Sequence, residues 1–278
     1  MKLAYAADLH GEASFYRELL AQAARSKAQA VIIGGDLFPK TGHPGTLIEE
    51  QREFIARELR GALEAFHAAN PGVEVFLMMG NDDFAVNMDR LEEMESEGLC
   101  RTIHMKVHTL GEGLSIAGYS CVRPTPFSVK DFERYDDEQK IVQPVFQRTF
   151  VSTGHGLVEV DGRQWFEAHQ TIAQDLEDLA AASDPQRTIY VLHDPPYGTN
   201  LDMLHDGTHI GSMAVAAFIV KHRPPLVLSG HIHESPEVSG HITHIIGDTL
   251  CVNPGRAEHE LRAVSVEVPG YRVGPLRE

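Results

Sequence analysis

Seven polar side chains stand where they could hold metal ions. Asp8 with His10, Asp36, Asn81, His193, and His231 with His233 each follow closely on a short apolar run. They offer oxygen and imidazole donors and no thiolate, a set that suits Mn, Fe, Zn, Ni or Co better than a structural cysteine–zinc site. Two of the spacings, Asp8/His10 and His231/His233, are i, i+2, which just beyond a strand can aim both side chains the same way. Taken singly, each residue reads as a loop polar group or a helix cap. Taken together they read as a metal centre.

The elements that must position them follow from the apolar pattern. Leu3–Ala7, Ala30–Ile33, Val73–Met79, Thr188–Leu192 and Leu226–Leu228 are short apolar runs, each stopped by turn residues and read as buried strands. Between them, Ser14 to about Lys27 repeats apolar residues at helical spacing, and a longer helix follows the loop Pro39–Gly45. Further helices are expected at Phe166–Ala182 and Gly211–Lys221, with Ser212 as an N-cap. Two runs between Val107 and Tyr119 flank Gly111-Glu112-Gly113 as a hairpin, and His241–Ile246, Thr249–Val252 and Leu261–Val268 make a β-rich tail. Strands alternating with helices predict βαβ units around a largely parallel sheet, and ligands of such sheets bind beyond the carboxyl ends of the strands. Residues from about 122 to 165 lack periodicity and read as an elaborated loop insertion, with the acidic run Asp131–Glu138 as a solvated face. Nothing marks an interdomain linker, so residues 1–278 are read as one domain.

In chain order, Asp8-Leu9-His10, Gly35-Asp36, Gly80-Asn81-Asp82-Asp83, His193 and Gly230-His231-Ile232-His233 resemble the calcineurin-like metallophosphoesterases, over about residues 3 to 256. The resemblance implies a four-layer α/β/β/α sandwich of two facing mixed sheets with flanking helices. It also implies two divalent metal ions, with Mn, Fe, Zn and Ni as candidates. Carried over by position, one ion would take Asp8, His10 and His233, the other Asn81, His193 and His231, and Asp36 would bridge them. The implied activity is phosphoric ester hydrolysis by a hydroxide shared between the metals, with no covalent protein nucleophile. Gly34-Gly35 would let the backbone turn so that Asp36 reaches both ions.

One block departs from the family pattern, which usually carries histidine after the asparagine. Asp82 stands there instead, and an aspartate is ordinarily ionised and cannot donate a proton to a leaving group. Asp83, which in the family orients that histidine, loses its usual partner. His209, Tyr197 and His43 lie in loops that could supply a substitute, so Asp82, Asp83 and His209 are the candidate catalytic residues. Arg123 and Arg256 are candidate substrate contacts; Asn253-Pro254-Gly255-Arg256 resembles a block near the end of many family members, in which Pro254 and Gly255 read as a turn leaving a strand. The missing histidine favours phosphodiesters or other esters with good leaving groups. The alternatives are phosphomonoester hydrolysis, and a catalytically weak metallophosphoesterase fold used for binding or scaffolding.

Composition bounds the partners. Among 278 residues, 24 Lys and Arg face 40 Asp and Glu, a formal charge of −16 that disfavours nucleic acid and anionic membranes at long range. Two divalent ions would offset four units of that charge, which weakens the argument without reversing it. The expected partner is a small or medium phosphate ester. At 42% hydrophobic and 23% charged, the chain has an ordinary globular composition. Cys100, Cys121 and Cys251 are widely spaced and form no disulfide or metal pattern, as expected of reduced thiols. No run approaches a membrane span, and Asp8 arrives too early for a signal peptide, so a cytoplasmic location is expected.

Overall fold

The central strands are short and buried on both faces, so each needs an apolar layer on either side. The computed structural model describes residues 1–40, 45–137 and 148–276. Lys2–Ala6 (β1) leads into Ala13–Arg25 (α1) and Ala30–Gly34 (β2). A long helical stretch follows, in which Leu47–Phe54 (α2) and Arg60–Ala69 (α3) are joined by a π-helical turn at Ile55–Leu59. Next come Glu74–Met78 (β3), Met88–Ser96 (α4), Arg101–Thr102 (β4), and the hairpin of Val107–Gly111 (β5) with Leu114–Tyr119 (β6). A second hairpin, Thr149–Thr153 (β7) with Gly156–Val160 (β8), precedes Gly162–Glu167 (α5), Ile172–Ala181 (α6) and Thr188–Leu192 (β9). Met213–His222 (α7), Leu226–Leu228 (β10) and Ser235–Ser239 (α8) lead to Thr243–Ile246 (β11), Thr249–Val252 (β12), Val264–Glu267 (β13) and Arg272–Pro275 (β14).

Two six-stranded sheets result, ordered β14-β13-β1-β2-β3-β4 and β11-β12-β10-β9-β6-β5. In the first, β1 to β4 run parallel and only the β13–β14 edge is antiparallel; in the second, β6, β9, β10 and β12 run parallel between two antiparallel edges, β5 and β11. Side-chain parity makes the layers. Leu3, Tyr5, Ile32 and Phe76 of one sheet share a buried cluster with Ile116, Ile189, Leu226 and Leu228 of the other. The alternate residues, Ala4, Val31 and Ile33 on one side and Tyr190, Leu192 and Val227 on the other, pack with helix residues such as Leu19, Leu63, Leu176 and Phe218. The fold is therefore the α/β/β/α sandwich of two facing mixed sheets. Ser212 caps α7, its hydroxyl accepting from the Val215 N–H at 3.0 Å.

Three expectations need correction. The helix expected over 166–182 is two helices, because Thr171 and Gln174 form a capping box that starts α6 afresh. The insertion at about 122–165 is not irregular throughout: its described part holds β7, β8 and α5, whose half-exposed residues hide the strand alternation. The run from Asp131 is not a solvated face, since Asp131, Phe132 and Glu133 are buried. Asp131 accepts from the Ala85 and Ser152 amides, each at 2.9 Å, and Asp136 accepts from the Met213 amide at 2.8 Å. These carboxylates bind backbone amides and the hydroxyls of Ser152 and Ser212; Glu138 lies outside the described residues.

Candidate metal centre

The loops that leave β1, β2, β3, β9 and β10 meet at one end of the paired sheets. Asp8, His10, Asp36 and His231 all have positive φ, between 45° and 64°, a conformation costly for residues other than glycine and concentrated at functional sites. It turns each side chain back across the strand ends. At Gly80 a Cβ would lie 2.3 Å from Asp36 Oδ1 and 2.7 Å from His193 Nε2, so only glycine leaves room for the carboxylate and the ring.

The ligand atoms converge. Asp8, His10, Asp36 and His233 each offer one donor atom within 4.8 Å of the others, and Asp36, His193 and His231 do the same. Asp36 is common to both groups. His193 Nε2 stands 3.4 Å from Asp36 Oδ1, His233 Nε2 3.4 Å from Asp8 Oδ1, and the Nε2 atoms of His10 and His233 are 3.1 Å apart. His193 Nδ1 meets the Gly34 carbonyl at 2.8 Å, which fixes the ring with Nε2 toward the cluster. Asn81 gives its amide N–H to Asp82 at 3.1 Å and so turns its own oxygen free. That Asn81 oxygen and His193 Nε2 are buried without a hydrogen-bond partner.

The electrostatics describe a site short of positive charge. Burial raises Asp8, but His233 and His193 outweigh it and hold the carboxyl at about 2. Asp36 goes further below the carboxylate range, burial being overcome by His193 and His10. Burial lowers His193 too, yet Asp36 and Asp8 lift it to about 10. His10 and His231 are driven down to about 3, mainly by burial. Two ionised carboxylates, the neutral imidazoles of His10 and His231 and an unpartnered amide oxygen form a donor set that fits divalent cations, which would replace the proton on His193.

Asp82 and Asp83 divide their roles. Asp83 is fully buried, and its carboxylate accepts from the amides of Leu37 and Phe38, both at 2.9 Å, and of Gly80 at 2.8 Å. It ties the loop of Asp36 to the loop of Asn81, and with both oxygens engaged it is a positioning residue. Asp82 points inward. Its amide donates to Asp36 Oδ1 at 2.9 Å, and its Oδ2 lies 3.2 Å from Lys40 Nζ and 3.8 Å from His10 Nδ1. Burial and the charge of Asp36 raise Asp82 to about 6, with Lys40 working against them.

Lys40 is the residue that sequence reasoning missed. Its ammonium lies 3.1 Å from His10 Nε2, beside the position that the family pattern gives to histidine. The only signal was its place four residues after Asp36 on the same loop. Asn253, just before the Pro254-Gly255 turn, also supports the cluster. Its amide donates to the carbonyls of Leu201, Gly230 and Ile232 at 3.1 to 3.2 Å, clamping the loop that carries His231 and His233.

His209 does not join the cluster. Its Nδ1 bonds Asp202 Oδ1 at 2.7 Å, on a carboxylate that also accepts from Gly198, Thr199 and Gly211 amides, so the ring helps to fold its own loop. Tyr197 is exposed and meets only the edge of that ring among the described ring contacts. His43 lies outside the described residues.

Two clefts of about 500 Å³ open from the cluster and share Lys40, His233 and Glu234. One is polar, completed by His10, His205, Glu237, Arg256 and Glu258. The other runs from Asp36, Asn81 and His231 past Arg123 to Pro124, Pro126, Phe127, Leu204 and Ile210. Arg123 and Arg256 thus stand one in each cleft. All three cysteines are buried and free. Among the described residues no helix is long and apolar enough to cross a membrane.

A two-sheet sandwich whose strand ends gather an Asp/His cluster is the arrangement of a metal-dependent hydrolase. A profile of the calcineurin-like phosphoesterases matches residues 1–235, and the chain belongs to that family, whose members use dinuclear metal centres. No curated protein matches it in sequence. Among solved structures it is similar to the TT1561 protein of Thermus thermophilus, at 19% identity and a TM-score of 0.57 over 99% of each chain. It is also similar to a dimetal phosphatase from Danio rerio, at 13% identity and a TM-score of 0.52, over 96% of this chain and 92% of that one. At these identities the two show the shared fold.

Proposed function

We propose that this protein hydrolyses phosphodiesters at a dinuclear metal centre. Asp8, His10 and His233 would hold one ion and Asn81, His193 and His231 the other, with Asp36 common to both groups. Bound there, two divalent ions supply Lewis-acid polarisation of the phosphoryl oxygens and an activated water. The observation that carries the diester preference is the pair of clefts meeting at the cluster, one polar and one apolar. A phosphorus atom at their junction has room for a substituent on each side, and a monoester would leave one side to solvent.

The chain's own residues do the rest. Asp83 and Asn253 hold three ligand-bearing loops in register. Lys40, oriented by Asp82, presents N–H donors where both clefts meet and can stabilise charge on the departing oxygen. An ammonium is a weaker acid than an imidazolium, so this arrangement suits esters whose alcohols leave readily. Rates on bis(p-nitrophenyl) phosphate and p-nitrophenyl phosphate, measured with Mn²⁺, test the reading. The diester is expected to be hydrolysed faster. A faster monoester overturns the diester preference, and no hydrolysis of either overturns the catalytic reading in favour of a binding protein.

A further inference from the structure

The cleft that runs to Phe127 has a wall with no regular secondary structure, yet the wall is held at several points. Residues 123–127 carry it: Pro124, Pro126 and Phe127 are apolar, and Phe127 is 55% exposed at the opening. Leu204 and Ile210 add apolar surface from a second loop. An exposed phenylalanine after a Pro-Thr-Pro stretch sits on a segment without ladder hydrogen bonds to hold it. Here the backbone beneath it is pinned.

The pin is a buried ion pair. Lys130 Nζ and Glu133 Oε2 lie 2.8 Å apart, and both side chains are 0% exposed. Between them they take up the polar groups of Thr125 in the middle of the wall. Glu133 accepts from the Thr125 amide at 2.8 Å and from its hydroxyl at 2.5 Å, and Lys130 donates to the Thr125 carbonyl at 2.9 Å. The Thr125 hydroxyl oxygen accepts in turn from the Phe127 amide at 3.1 Å. At the start of the wall, the Arg123 amide donates to Asp194, the residue after the ligand His193, at 3.0 Å. Burying an ion pair gains little stability over an apolar pair of the same volume, and its attested use is to specify one conformation. The conformation specified here presents Phe127 and two prolines to the cleft that begins at the metal ligands.

We infer that residues 123–127 form a preorganised recognition wall for an apolar substituent, aryl ring or alkyl chain, on the phosphate ester. The inference rests on the phosphoesterase reading and adds the chemistry of one ester arm. Phe127 is the specificity-determining residue. Thr125, Lys130 and Glu133 are positioning residues that act through it. Because Phe127 is half exposed, removing its ring leaves the core intact.

Phosphonates, which are not hydrolysed, separate the two claims. With protein loaded with Mn²⁺, calorimetry gives Kd for methylphosphonate, phenylphosphonate and octylphosphonate. Phenylphosphonate or octylphosphonate is expected to bind at least about fivefold tighter than methylphosphonate, and whichever gains tells ring from chain. In Phe127→Ala that ratio should fall to about two or less, with the Kd of methylphosphonate unchanged. Equal binding of all three to the parent protein, or a ratio unaltered by Phe127→Ala, overturns the wall and leaves the phosphoesterase reading standing. Failure of methylphosphonate itself to bind overturns the phosphate site, and the wall with it.

Discussion

Buried carboxylates build both the metal cluster and the cleft wall, and the two regions pair them differently. At the strand ends Asp8 and Asp36 each accept from one backbone amide but otherwise face imidazoles, with a buried ring nitrogen of His193 and the Asn81 oxygen left without hydrogen bonds. In the wall and its supports, Asp131, Glu133 and Asp136 are bonded to backbone amides, hydroxyls or Lys130. Convergent and unsatisfied donors make a site for an external cation. Satisfied ones replace the hydrogen-bond ladder that a segment without strands lacks. Burial of acidic groups therefore does not identify a site; the balance of their partners does.

The largest effect should come from Asp36, the residue common to both ligand groups. Asp36→Asn is expected to cut diester hydrolysis by about a thousandfold, to lower bound metal, and to lower the melting temperature of the metal-free protein, because His193 loses the carboxylate that holds its charge. Metal analysis and a melting curve read this directly. Full metal content with unchanged hydrolysis would erase the contrast between the regions.

In the wall the order of effects reverses. Glu133→Gln strands a buried ammonium and should destabilise the fold by about 3–5 kcal/mol, with metal content unchanged in whatever remains folded. Chemical denaturation of this variant and of Lys130→Met/Glu133→Gln checks it, since the double variant should recover most of the loss.

Lys40 tests the boundary between the two. Lys40→Met is expected to lower kcat/KM by about thirtyfold, more for diesters with poorer leaving groups and less for better ones. A uniform loss across a leaving-group series would instead make Lys40 a general phosphate contact.

The smallest effect is on stability in acid. His104 packs against Phe132 and Tyr119, and burial lowers it to about 4. Its Nδ1 accepts from the Ser120 amide at 3.0 Å, which also disfavours the protonated ring. Between about pH 6.5 and 4 the unfolded chain binds the proton and the folded one does not, so stability falls as pH falls through that window. The loss should be about 1–3 kcal/mol. His104→Gln should flatten it in pH-dependent denaturation, and an unaltered slope would assign the acid sensitivity elsewhere.

Much of the site is legible from residue types at strand ends. Gly35-Asp36 and Gly230-His231 each join a tight backbone position to a donor, and such local signals survive in one dimension. The wall has no comparable signal. Thr125, Lys130 and Glu133 are close in sequence, but nothing in their spacing says that they are buried, and an acidic run with that composition is usually solvated. Lys40 is hidden for another reason: its neighbours His10 and Asp82 are 30 and 42 residues away.

The sequence by itself determined the alternation of short buried strands with helices, through its apolar runs, and the donor set, through the residues that end them; the two facing sheets were only what the family resemblance implied. Only the tertiary structure decided which donors stay unsatisfied, that Asp83 joins loops while Asp82 turns inward, and that His209 serves its own loop. The physical reason is that local pattern encodes which face of a strand is apolar and where the chain turns. Whether a carboxylate meets an amide, an ammonium or a ring of histidines is settled by distant segments packed together at once.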